Sequence, residues 1–346
     1  MNSKERGLAP KLGKIMDRLP MWYGADIQTT KKLVQYLGVE NEEQALYDTL
    51  KIDYKTFNPK YVGNELKHNL DGTWDTIWGV RRGGYYGGHA VNAPLQHAEN
   101  IKDIINYPWP NTNQWSYKIS EAELKNANKY CNIGGAWAPF FHDASELLGL
   151  EKFLMDMYFN PIVVEAALQI CFDFYYEQTV KMFEENPGVI DIWFVGNDFG
   201  TQNDMLFSPQ MWVKFIKPKF IKMADLAHKN GALMAIQSCG SINKIIPDII
   251  ESGVDIINPI QVSAKGMDPV VLKREFGKDI VFFGGIDTNL LTKGTQTKVR
   301  EETKRIIEIL GYDGKYIVAP SHDYLLPEVP TENIVVLYEE ALNIRR

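Results

Sequence analysis

Residues 235–261 read AIQSCGSINKIIPDIIESGVDIINPIQ, and the fold turns on how this stretch is parsed. An apolar run ends in the polar tip Gln237-Ser238-Cys239-Gly240. A helical segment from Ser241 follows and stops at Gly253. A second apolar run, Val254–Ile257, then ends at Asn258-Pro259. Strand, polar tip, helix, strand is the repeating unit of a parallel sheet. In a parallel barrel, the place of that polar tip is where catalytic side chains are kept.

The same unit recurs on both sides of this stretch. Val189–Val195 (VIDIWFV) is a strand. Ser208-Pro209 opens a helix, Ser as N-cap and Pro at the first helical position. That helix runs to about Asn230 and stops at Gly231, and Pro218 inside it predicts a kink. Ala232–Ile236 is the next strand. Downstream, Asp268-Pro269 caps a helix, Asp279–Phe283 is a strand ending in Gly284-Gly285-Ile286-Asp287, and a helix runs from Thr297 to Gly311. Lys315–Ala319 is the last strand, ending in Pro320-Ser321-His322-Asp323, before a terminal helix from Thr331 or Asn333. With Met21–Tyr23, Ile52–Phe57 and Asn132–Ala136 upstream, the count predicts an α/β fold, a (β/α)8 TIM barrel. The alternative is an open doubly wound sheet. Its dinucleotide-binding version lacks support, because no Gly-x-Gly-x-x-Gly joins a strand to a helix. Residues 65–100, with Trp74, Trp78, Arg81, Arg82 and the run GGYYGG at 83–88, read as an irregular insertion at the barrel mouth. No linker or low-complexity segment interrupts the chain, so residues 1–346 are read as a single domain.

The 346 residues are 45% apolar and 23% charged, the balance of a soluble globular protein. A net charge of −7 argues against nucleic acid or an anionic membrane as partner. No apolar run approaches the ~18 residues of a membrane span, and the N-terminal stretch lacks the apolar core of a secretory signal. Three cysteines do not make a disulfide framework, so a reducing cytoplasm is expected. Aromatic residues make up 12% and recur in loops, as in Tyr107-Pro108-Trp109-Pro110. That suits either a cleft for a flat or apolar ligand or ordinary packing.

The strand ends offer Trp137 and His142, Asn197-Asp198 with Gln202 beyond, Gln237 and Cys239, Asn258 and Gln261, Asp287, and Ser321-His322-Asp323. All are expected to converge on one mouth. Cys239 is either a small packing residue or a reactive one, and a helix N-terminus directly after it would lower its pKa. As a zinc ligand it needs about three N, O or S partners. His322 is the best second ligand, and Asp198 could add an oxygen. The competing reading makes His322 a hydrogen-bonder to substrate. Asp198 can be a base, a ligand, an acceptor or a loop cap, and Asp287 carries the same alternatives. Asp143 reads as an N-cap, which leaves His142 for chemistry. Arg81-Arg82 is either an anion clamp or a solvated pair. Cys131 and Cys171 read as buried, and Lys214, Lys217 and Lys219 as a helix surface.

Taken in order, several segments resemble the uroporphyrinogen decarboxylase superfamily. They are Asn197–Gln202 (NDFGTQ), Ser208-Pro209, Gln237–Ser241 (QSCGS), Gly253–Asp255 through Asn258-Pro259, Gly284–Asp287 (GGID) and Ala319–Asp323 (APSHD). Trp74–Tyr85 and Gly134–Trp137 extend the likeness more weakly. The resemblance implies a single (β/α)8 barrel with a deep cleft at the strands' carboxyl ends. One branch of the superfamily decarboxylates uroporphyrinogen without a cofactor, holding substrate carboxylates with an Arg-rich motif after the first strand. The matching stretch here, Leu19–Asp26 (LPMWYGAD), has no Arg, although His322 falls where that branch keeps a His. The other branch comprises corrinoid-dependent methyltransferases, which hold zinc with a His-x-Cys-Gly element and a second Cys near the last strand. Cys239 matches the first Cys, Gln237 replaces the His, and His322 stands where the second Cys would be.

The resemblance to this second branch implies methyl transfer from a small methylated substrate to a corrinoid on a partner protein. Zinc on Cys239, His322 and Asp198 would act as a Lewis acid. Asp198, His142 and His322 would be catalytic, and Trp137, Asn197, Gln202, Gln237, Gln261 and Asp287 would face the substrate. The alternatives are a cofactor-free decarboxylase and, because Gln237 displaces a ligand, a non-catalytic binder of a small molecule or of the corrinoid partner.

Overall fold

The computed structural model describes residues 1–84, 88–322 and 324–344. Seven parallel strands form one sheet, β1 (Tyr54–Phe57), β2 (Cys131–Ala136), β3 (Ile192–Gly196), β4 (Leu233–Gln237), β5 (Ile256–Asn258), β6 (Val281–Phe283) and β7 (Tyr316–Ile317). Each strand lies beside its predecessor in sequence, as repeated strand–helix units require.

Strand alternation divides the buried residues into two layers. Tyr54, Ile133, Phe194, Ala235, Ile256, Val281 and Ile317 gather with Trp22 into a cluster on the inner face of the curled sheet. Their neighbours Trp193, Val195, Ile236, Ile257 and Phe282 face the helices instead. Being buried on both faces is why these strands are unbroken apolar runs rather than alternating ones.

The sheet is open between β1 and β7. Pro20–Tyr23 lies in this opening, tied only by single bonds. Trp22 N donates to Val318 O at 3.0 Å, Val318 N to Pro20 O at 2.9 Å, and Asp53 N to Met21 O at 2.9 Å. Seven of the eight expected strands are thus ladder strands, and the first is reduced to bridges.

Several local expectations shift. The helix after Ser208 is two helices, Pro209–Phe215 and Lys217–Lys229, broken at Ile216 where Pro218 cannot continue the ladder. The helix expected from Ser241 is a 3-10 turn at Asn243–Ile245 followed by a short α-helix, Ile246–Glu251, whose start is set by Pro247 in its first turn. Lys219 is not on the surface: its side chain is 4% exposed and pairs with Glu165 at 2.9 Å. Cys131 and Cys171 are buried as expected, and burial pushes both thiols up.

The insertion holds a three-stranded antiparallel sheet, Trp74–Asp75, Arg81–Gly83 and His89–Ala90. Arg82 pins it to Glu146 at 2.6 Å, so neither arginine is a free anion clamp, since Arg81 pairs with Asp75. Tyr85, Tyr86 and Gly87 of its loop lie outside the described residues. Among the described residues no helix is long and apolar enough to cross a membrane.

Candidate active site

The polar tips of β3, β4 and β5 stand side by side, because Gly196, Gln237 and Asn258 are in register across the three strands. Two glycines let the β3 and β4 loops touch backbone to backbone. Gly240 has φ 87°, and a Cβ there would come within 2.6 Å of the Gly200 carbonyl oxygen. Ser241 N donates to Thr201 O at 2.8 Å and fastens the same contact.

That contact places Asp198 against Cys239. Asp198 Oδ1 accepts from Cys239 N at 2.8 Å and from Gln237 Nε2 at 3.0 Å. The same Gln237 nitrogen donates to Cys239 Sγ at 3.2 Å. Gln261 Oε1 accepts from Gly240 N at 2.6 Å, and Ser238 Oγ from Phe199 N at 3.0 Å. Gln237 is 7% exposed, so its amide is held by these bonds rather than by water. Gln261 thus holds the Cys239 loop in place.

These residues do not fit a zinc ion. The Gln237 amide directs its two N–H groups at the carboxylate and at the sulfur, the two lone-pair donors a cation would need. Zinc takes four ligands. Among the described residues no three His, Cys, Asp and Glu side chains are grouped to hold a metal. His322 is exposed on the rim, with its Nδ1 taking Tyr324 N at 3.2 Å, and lines a separate cavity of about 320 Å³ with Thr288, Lys293 and Glu328. Asp323 beside it lies outside the described residues. Cys239 has no α-helix directly after it either, since the nearest begins at Ile246.

The remaining predicted residues divide. Asp287 is the N-cap of helix Thr288–Lys293 and accepts from Asn289 N at 3.0 Å, the capping role among its alternatives. Gln202 is exposed on its loop and holds Lys265 N only through its backbone carbonyl, at 2.9 Å. His142 does join the cluster. It is half-buried, with Nδ1 3.4 Å from Asn197 Oδ1. The turn before it is strained: Ala138 and Phe140 have φ of 53° and 23°. Asp143 is not an N-cap, because Phe140 occupies that position without a side-chain bond. Asp143 is buried instead, beside the Tyr175 hydroxyl, and burial pushes its carboxyl up to about 7.

Trp137 lies over the inner cluster, its ring 4.3 Å from Phe194 and 6.4 Å from Trp22. It also lines a cavity of about 380 Å³ walled by Trp22, Tyr23, Tyr47, Tyr54 and Tyr324, with Glu42 and Lys55 on its lining. Sequence reading missed this cavity. Its residues come from separate loops with no shared motif, and the aromatic content was the only signal. Every arginine among the described residues is paired with a carboxylate of the protein, Arg6 and Arg18 with Asp53 before the start of β1.

The model of the uroporphyrinogen decarboxylase (URO-D) family matches residues 90–343. The solved structure of a methyltransferase from Methanosarcina mazei superposes with a TM-score of 0.62, covering 99% of each chain at 17% identity. That likeness is one of fold. No curated protein matches the chain. The family match takes in β2 to β7 and the whole Asp198–Gln237–Cys239 cluster, and by it the chain belongs to the uroporphyrinogen decarboxylase (URO-D) family.

Proposed function

We propose that the protein is a methyltransferase that moves a methyl group from a small methylated substrate to a corrinoid carried by a partner protein. In this reading Pro20–Tyr23 is the eighth stave of a (β/α)8 barrel, and the reaction centre is the Asp198–Gln237–Cys239 cluster. One observation favours it over decarboxylation of uroporphyrinogen: the placement of arginine. A substrate carrying many carboxylates calls for free guanidinium groups at the mouth, and every described arginine is already committed to a carboxylate of the protein. The fold shared with the Methanosarcina mazei methyltransferase supports the same side.

The roles follow from the bonds. Asp198 Oδ1 takes two N–H donors, which suits it to orienting the Gln237 amide and the Cys239 loop. Gln237 and Cys239 then face the substrate's heteroatom. When the heteroatom–methyl bond breaks, the leaving group keeps the bond's electron pair: an ammonium leaves as a neutral amine, while an ether leaves as an oxyanion that needs a proton. For an ether, His142 can supply that proton from Nε2 while Nδ1 stays on Asn197. Zinc has no part in these steps, since the donors do not fit it.

The test is substrate conversion. With cob(I)alamin as acceptor and a panel of aryl methyl ethers and methylamines, methylcobalamin absorbance should appear with at least one donor, and uroporphyrinogen should be left unchanged. Consumption of uroporphyrinogen with release of carbon dioxide would replace this reading with the decarboxylase one.

A further inference from the structure

The aromatic cavity beside Trp137 is built differently from the thiol cluster. Its walls come from Trp22–Ala25, from Tyr47 and the first residues of β1, from the turn after β2 at Trp137, and from Tyr324 beyond β7. Three of its phenol oxygens already have partners. Tyr23 meets Thr30 Oγ1 at 3.1 Å, Tyr54 donates to Gly7 O at 3.0 Å, and Tyr324 donates to Asp26 at 3.4 Å. Ring faces thus share the lining with the polar side chains of Thr30, Thr56, Glu42 and Lys55. Aromatic faces beside charged groups can hold a methylated cation.

Two charges face the same space. Lys55 is half-buried with Nζ 5.9 Å from the centre of the Tyr47 ring. Glu42 is exposed at the rim, close enough to Tyr23 and Tyr47 to help raise both phenols. Neither forms an ion pair among the described residues, although most of the basic side chains near the sheet do. Tyr47 sits on a π-helical turn, Gln44–Thr49, in which Leu50 N reaches back to Ala45 O at 3.0 Å. Segments of this kind are rare and recur at functional sites.

We propose that this cavity binds a zwitterion made of a carboxylate and an N-methylated ammonium group. Lys55 takes the carboxylate, and the rings around Trp137 and Trp22, with Glu42, take the methylated ammonium. The cavity volume suits one small molecule. The choice of an N-methyl ligand rests on the methyl-transfer reading, and the cavity would be the substrate site of that reaction.

Binding can be measured apart from turnover. Calorimetric titration would use three probes: N,N,N-trimethylglycine, its uncharged-head isostere 3,3-dimethylbutyrate, and tetramethylammonium. The zwitterion should bind at least tenfold more tightly than either of the others. Lys55→Met should weaken it at least tenfold and abolish its advantage over tetramethylammonium, while Glu42→Gln should narrow its advantage over the isostere. Both side chains reach solvent, so both variants should keep the wild-type thermal midpoint. Equal affinity for the zwitterion and the isostere, no binding of the zwitterion, or a Lys55→Met affinity within twofold of wild type would each overturn the proposal. Tight zwitterion binding with no methylcobalamin formed from any donor would leave the site standing and remove the methyl-transfer reading. Turnover of an aryl ether with no zwitterion bound would do the reverse.

Discussion

The two sides of the mouth are made in opposite ways. On the side of β3 to β5, loops press backbone against backbone at Gly200 and Gly240, and Asp198, Gln237, Gln261 and Ser238 are joined in hydrogen bonds. On the side of Pro20–Tyr23 and β1, aromatic rings together with Thr30, Glu42, Lys55 and Thr56 line a space of about 380 Å³. The first side fixes atoms to within hydrogen-bond tolerance, as a reacting centre needs. The second leaves room and a π-lined wall, as a substrate pocket needs. Trp22, Tyr54 and Trp137 all line the cavity, and the first two belong to the inner cluster.

If the thiol side is fixed by backbone contact, breaking that contact should have the largest effect. Gly240→Ala puts a Cβ against Gly200 at a φ that L-residues rarely adopt. A loss of about 3 kcal/mol or more is expected from strain and overpacking, read as a lower urea midpoint. A change under ~1 kcal/mol would mean that the two loops can part without cost. Gln237→Leu comes next. It leaves Asp198 and Cys239 Sγ without the amide's donors, and should cost about 1–3 kcal/mol of stability. Methyl transfer should be lost as well, and restored in part by Gln237→Asn only if the shorter amide still reaches both acceptors.

Asp143 tests the strained turn that separates the two sides. Its folded pKa is raised from 3.8 to about 7, so the folded state holds a proton that the unfolded chain has released. The resulting stabilisation is fully present below pH about 4 and is lost as pH rises through 7. In Asp143→Asn that dependence should vanish. The difference in unfolding free energy between variant and wild type should therefore move in the variant's favour across pH 4 to 7. A difference that stays flat with pH would show that the carboxyl is ionised in the fold. The smallest effect belongs to the open side. Trp137 is 46% exposed, and Trp137→Ala should cost only about 1 kcal/mol of stability, while weakening ligand binding far more.

The sequence showed the repeating half of the fold clearly. VIDIWFV, DIVFF and KYIVA are apolar runs bounded by Gly, Pro and Asp, and each is a strand where it was expected. Ser208 and Asp268 cap helices as their positions suggested, because capping depends on a few adjacent residues. Juxtapositions between loops were less legible. That Asp198 and Gln237 meet at Cys239 depends on the register of two strands 41 residues apart at the paired Asp198 and Cys239. His322, read as a partner of Cys239, instead bends onto its own loop at Tyr324. Asp143 looked like a cap because acids are common in first turns, and only the packing around Tyr175 shows it buried. The aromatic cavity left no local trace, since Trp22, Tyr47, Trp137 and Tyr324 are brought together by the curl of the sheet alone.

The central claim is that the Asp198–Gln237–Cys239 cluster carries the methyl transfer. Single-turnover formation of methylcobalamin, compared between wild type and Cys239→Ala on the same donor, addresses it most directly. The account predicts a fall of about 100-fold or more with the fold intact, on the scale of removing a group that acts at the reacting atoms. Equal rates in the two proteins would place the chemistry elsewhere in the protein and contradict it.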